Sequence, residues 1–210
     1  QIEWLNDTFK TPHDVEIVIA ECGKYFPPED VVNAYYASKA VTGTDSSRIW
    51  YCYELIEAQY EIMKYLVTPG QGDRIIPSHV ICPPGKSCPS ADDRLVNVVD
   101  AVLYHEMGHA FIDLYSLPIT ASEEDSADSL SAYIILEYYQ DPDFANEVIR
   151  DAAFEYLLTS SVDNIPLEAY AATHSLPIQR YYDLACYAYG KDPVANRDLI
   201  QAGLLTSDRA

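Results

Sequence analysis

Residues 14–22 alternate apolar and polar positions and are rich in β-branched side chains, and the run stops at Gly23 and Pro27-Pro28. That pattern predicts a strand followed by a loop. Residues 33–36 and 48–52 are two further strand candidates, separated by the turn-rich stretch 42–47, so a small antiparallel or mixed sheet comes first. From Tyr53 the apolar positions change period: Leu55, Ile56, Ile62, Met63 and Leu66 recur at helical spacing, and Pro69-Gly70 ends the run. Residues 68–93 are punctuated by Pro and Gly and read as a surface excursion. Helical periodicity returns over residues 95–114, after Asp92-Asp93, and stops before Pro118. Further helices are predicted over 122–139, 143–158 and 177–189, the last ended by Gly190. The fold class is therefore α+β, a small N-terminal sheet packed on a mainly helical C-terminal half, within one domain over residues 1–210.

Composition sharpens this outline. An apolar fraction of 49% supports a packed core. The balance of 13 basic against 33 acidic residues, a net charge of -20, repels phosphate backbones and anionic lipid, so nucleic acid is not an expected partner. No stretch reaches the roughly 18–20 apolar residues that a spanning helix needs, which predicts no membrane insertion. Cys82 and Cys88 bracket a short Pro-Pro-Gly loop that a disulfide would close. Together with an opening residue, Gln1, that suits a processed chain, this predicts a secreted or periplasmic location.

The chemistry lies in the segment His105-Glu106-Met107-Gly108-His109, an H-E-x-x-H pattern inside a predicted helix. Residues four apart on a helix differ by only about 40° of rotation, so both imidazoles project from one face and can share a metal ion. Glu106, about 100° round from His105, is displaced from that face but near enough to take a proton from the attacking water. Catalytic zinc usually has three protein ligands, and the acidic run 123–128 offers the third. Glu124 is the preferred ligand and Glu123 the alternative; Asp128, four residues after Glu124, can accept the free N–H of a ligand histidine and fix its tautomer. The same acids would also suit a calcium site, but calcium leaves the paired histidines unexplained. His13 and His79 lack a ligand-spaced partner and read as structural or surface residues.

With His105, Glu106, His109, Glu124 and Asp128 in this order, the sequence resembles the zincin metallopeptidases, and among them the gluzincins, in which a second helix bears E-x-x-x-D. The stretches Glu21-Cys22-Gly23, Asn33-Ala34-Tyr35-Tyr36, Cys52-Tyr53-Glu54-Leu55 and Cys186-Tyr187-Ala188-Tyr189-Gly190 resemble a family of bacterial secreted "putative metallopeptidases" of unknown function, a likeness that spans most of the chain. The spacing from H-E-x-x-H to Glu124 is shorter than in thermolysin-like gluzincins. The resemblance implies a zinc-dependent hydrolase acting on a peptide or protein substrate, with Glu106 as general base. It also implies that Asn33-Ala34 lies on an edge strand able to hold an extended substrate by main-chain pairing. His174, just ahead of the last helix, is then the candidate for stabilising the oxyanion. A Cys22–Cys52 disulfide leaving Cys186 as a buried thiol completes what it implies. Arg180, one of 13 basic residues, can bind a substrate carboxylate or brace the acidic second helix, and the brace is the preferred reading. The alternative from the same residues is a catalytically silent zinc-binding interaction module on a zincin-like scaffold.

Overall fold

Three short strands, β1 (Val15–Ala20), β2 (Ala34–Ala37) and β3 (Ser47–Cys52), pair in the order β1-β3-β2. The sheet is mixed: β1 is parallel to β3, whereas β2 is antiparallel to it. Sequence alone does not give that register, because the chain lays down the edge strand β2 before it returns as the central strand β3. The computed structural model describes residues 2–120, 122–160, 165 and 167–209. Helix α1 (Ile2–Thr8) precedes the sheet, and α2 (Lys39–Thr42) joins β2 to β3. They are followed by α3 (Tyr53–Val67), α4 (Ser78–Ile81), α5 (Ala91–Leu114), α6 (Glu123–Tyr138), α7 (Pro142–Thr159), α8 (Pro177–Lys191) and α9 (Arg197–Gln201).

The predicted α3, α6, α7 and α8 lie within two residues of their expected limits, and the short helices α1, α2, α4 and α9 are additions. Helix α5 starts four residues ahead of the periodic pattern because Ser90 and Asp93 form a capping box: Asp93 N–H donates to Ser90 Oγ at 3.2 Å, and Ser90 N–H donates to Asp93 Oδ2 at 2.9 Å. Asp141 caps α7 with its side chain alone, accepting from the N–H groups of Asp143 and Phe144, with Pro142 at the first helical position.

Helix α5 is the central element, packed by α3, α6, α7 and the β2–β3 side of the sheet. Its buried side chains Val98, Tyr104 and Phe111 join Ile49, Met63, Ile135, Ile149, Phe154 and Leu184 in one hydrophobic cluster. Toward α7, buried Arg94 pairs with Asp151 and donates to the Ile81 carbonyl at 2.6 Å, while Asn97 donates to Asp151 Oδ2 at 2.7 Å. Two disulfides are present: Cys22–Cys52 ties the loop after β1 to the end of β3, and Cys82–Cys88 closes the loop ahead of α5. Cys186 is free, and it is half-buried rather than buried.

Helices α5 and α6 run antiparallel, since His109 meets Glu123 and Glu124, His105 meets Asp128, and the Ala101 carbonyl accepts from Ser131. Gly108 sets how closely they approach. A Cβ built there would lie 2.8 Å from the Ala127 Cα and 3.0 Å from its Cβ. Alanine is the better helix former by about 1 kcal/mol, so a glycine in mid-helix marks the crossing. Gly108→Ala is expected to reverse that propensity gain and lower stability by about 1–3 kcal/mol through overpacking against backbone. A urea midpoint above that of the wild type would show instead that α6 can retreat at no cost.

Candidate metal centre

The two imidazoles are held by α5 and the acids by the first turns of α6, whose N-terminal dipole favours the carboxylates of Glu123 and Glu124. His105 Nδ1 lies 2.7 Å from Asp128 Oδ1, and His109 Nδ1 lies 2.8 Å from Glu123 Oε1. Donation from both Nδ1 atoms leaves each Nε2 with a lone pair. Those Nε2 atoms are 3.2 Å apart and stand 3.2 and 3.3 Å from Glu124 Oε2. His174, arriving from the segment before α8, brings its Nε2 to 2.9 Å from the same oxygen.

Glu124 Oε2 is buried and has no aligned hydrogen-bond donor. Lone pairs and a carboxylate oxygen crowded this closely repel one another unless a cation sits among them. The protonation preferences express the same demand. Burial opposes a charge on His109, but Glu124 and Glu123 outweigh it and push its pKa up to about 9. Against the same burial, the imidazoles facing Glu124 hold its carboxyl well below the usual carboxylate range. The donor set of imidazole nitrogens and one carboxylate oxygen therefore fits a divalent metal ion.

Glu106 lies beside this cluster, 5% exposed. Burial raises its carboxyl above the ordinary value, against the pull of His105 and His109, and the nearby Tyr36 backbone N–H on β2 favours its charge only slightly. Asp128 is gripped from behind by Arg180, with Nε to Oδ2 at 2.7 Å and Nη2 to Oδ1 at 2.6 Å. Burial works against the Asp128 charge, but the hydrogen bonds from His105 and Arg180 outweigh it and hold its carboxyl below the ordinary value. Arg180 in turn stacks over the Tyr156 ring at 4.2 Å.

His105, Glu106, His109, Glu124, Asp128 and His174 thus lie together, with Glu123 at the outer edge of His109 and 51% of its side chain exposed. Asn33 and Ala34 line the cavity that His105, Glu106 and His174 also line. His13 lies apart, with Nε2 2.8 Å from Ser47 Oγ, and His79 is on α4. Two residues of the cavity carry no sequence signal: Gln59 on α3 and Glu155 on α7, each at an ordinary position of its helix.

A family model described as "Putative metallopeptidase" matches residues 1–210 of the chain. No curated protein and no solved structure matches the chain.

Proposed function

The chain belongs to this "Putative metallopeptidase" family, and on that premise we propose that it is a zinc-dependent peptidase of one domain over residues 1–210, with His105, His109 and Glu124 as ligands and Glu106 as general base. The observation that carries the reading is the convergence of His105 Nε2, His109 Nε2 and Glu124 Oε2 within 3.3 Å of one another, beside a buried Glu106. Two imidazoles and a carboxylate are a usual protein set for catalytic zinc, which leaves a position for water or substrate. When bound, zinc supplies Lewis acidity, polarising the scissile carbonyl and lowering the pKa of water.

The chain's own groups do the rest. Glu106 takes the proton of the attacking water and returns it to the leaving amine. Its raised pKa brings it nearer to the range in which a base can both accept and release a proton. Asp128 and Glu123 hold the His105 and His109 rings in the tautomers whose Nε2 atoms face inward. Among the described residues strand β2 is paired with β3 alone, and its open side carries Ala34, so an extended peptide can add there as a further strand. His174, with about half its side chain exposed, faces the developing oxyanion.

The test is elemental analysis of purified protein beside His109→Ala. About one zinc per chain in the wild type and none in the variant supports the site. A folded wild type unable to take up zinc overturns it, and full zinc with no cleavage in a peptide library favours the silent binding module. His174→Ala is expected to keep its zinc and lose about 10²–10³-fold in kcat with little change in KM. Loss of zinc from that variant would make His174 a ligand.

Two disulfides support an oxidising compartment, secreted or periplasmic. Among the described residues no helix is long and apolar enough to cross a membrane.

A further inference from the structure

The cavity beside the metal centre measures about 150 Å³, and its walls include Ala34, Leu55 and Val102 with Gln59 and Glu155. Glu155 is 8% exposed and Gln59 is 1% exposed. The Gln59 carbonyl oxygen accepts the Tyr51 hydroxyl at 2.8 Å, so its amide N–H is the end left to favour the nearby Glu155 carboxylate. Among the described residues Glu155 forms no ion pair, and Arg180, which lines the same cavity, is committed to Asp128 through two hydrogen bonds.

A carboxylate taken so far from water without a cation is costly to keep charged. Burial pushes the Glu155 carboxyl up to about 7, with Gln59 and the more distant charge of Arg180 only partly offsetting it. What the cavity lacks is a positive charge at Glu155, delivered along a path with aliphatic walls. A Lys or Arg side chain has that shape and chemistry: its methylene stem packs on Leu55 and Val102 while its cationic end reaches the carboxylate. The net charge of -20 draws basic peptides toward the protein at long range.

We propose that Glu155 is a specificity residue of this site, binding the ammonium or guanidinium group of a Lys or Arg side chain next to the cleaved bond of a peptide. The assignment rests on the peptidase reading, and two arms of one experiment separate them. In the first, zinc-loaded wild type and Glu155→Gln digest a mixed peptide library containing Lys, Arg and norleucine, the uncharged analogue of Lys, and the cut positions are read by mass spectrometry. The wild type is expected to favour Lys or Arg over norleucine beside the cut more than tenfold, and Glu155→Gln to lose that preference while still cleaving other peptides with unchanged zinc content. In the second, Glu106→Gln protein, with and without Glu155→Gln, is dialysed against the same library, so that retention is read without turnover.

Cleavage without preference for a cation, or a preference that survives Glu155→Gln, overturns the assignment and leaves the peptidase reading intact. Retention of Lys and Arg peptides that needs Glu155, in a protein whose wild type cleaves nothing, sustains the pocket and removes the peptidase. Glu155→Asp covers the case in which Glu155→Gln does not fold: it keeps the charge one methylene further back and is expected to shift preference toward the longer Arg. A Glu155→Asp protein with the Lys-to-Arg ratio of the wild type would count against the pocket.

Discussion

Glu106→Gln is expected to retain one metal ion per chain and to lose about 10²–10⁴-fold in peptide hydrolysis, the usual worth of a positioned general base. The substitution preserves shape. Gln keeps the size of Glu and an acceptor oxygen toward the nearby Tyr36 N–H, so neither the fold nor the ligand cluster should move. What disappears is the capacity to hold a proton between attack and departure. His109→Ala supplies the contrast, because it removes a donor from the set of three and should lose metal and hydrolysis together. The measurements are zinc content and kcat/KM for one peptide on the wild type and both variants. A zinc-loaded Glu106→Gln protein that cleaves at the rate of the wild type would remove Glu106 as the base and require a different proton acceptor.

These two substitutions could be chosen from the sequence because the spacing of H-E-x-x-H fixes helix geometry without tertiary information. The same holds for Glu124 and Asp128, whose four-residue separation puts both on the face that meets α5. Other features depend on distant partners. Glu123 differs from Glu124 only in rotation about α6, and which carboxylate faces the Nε2 atoms follows from how the helices cross. That crossing is set by Gly108 against Ala127, a contact with no local signature. The mixed sheet depends on the route of the chain between β1 and β3, and the hydrophobic alternation of each strand reads the same in either direction. The capping box that starts α5 at Ala91 is spelled in Ser90 and Asp93, whereas apolar periodicity reports only the buried part of the helix. Glu155 is a charged residue in a sequence with 33 acids, and only the fold shows that it lies inside.

Asp128→Ala is expected to damage two properties at once. Its carboxylate accepts from Arg180 through Nε and Nη2 and also meets His105 Nδ1, and the Asp128 and Arg180 side chains are only 13% and 12% exposed. Removing it strands a buried guanidinium left with the face of Tyr156 and His105 Nδ1 at 3.5 Å, and breaking a buried pair in this way costs about 3–5 kcal/mol of stability. It also frees the His105 ring to change tautomer, which should weaken metal binding by about 10–100-fold. The double variant Asp128→Ala/Arg180→Met separates the two effects. With the stranded charge gone, stability measured by urea unfolding should recover most of its loss, while zinc affinity measured by competition with a chelator should stay low. Recovery of both would mean that Asp128 serves only to neutralise Arg180. A single Asp128→Ala variant with unchanged zinc affinity would show that His105 needs no partner at Nδ1, and the orienting role assigned to the second helix would fail with it.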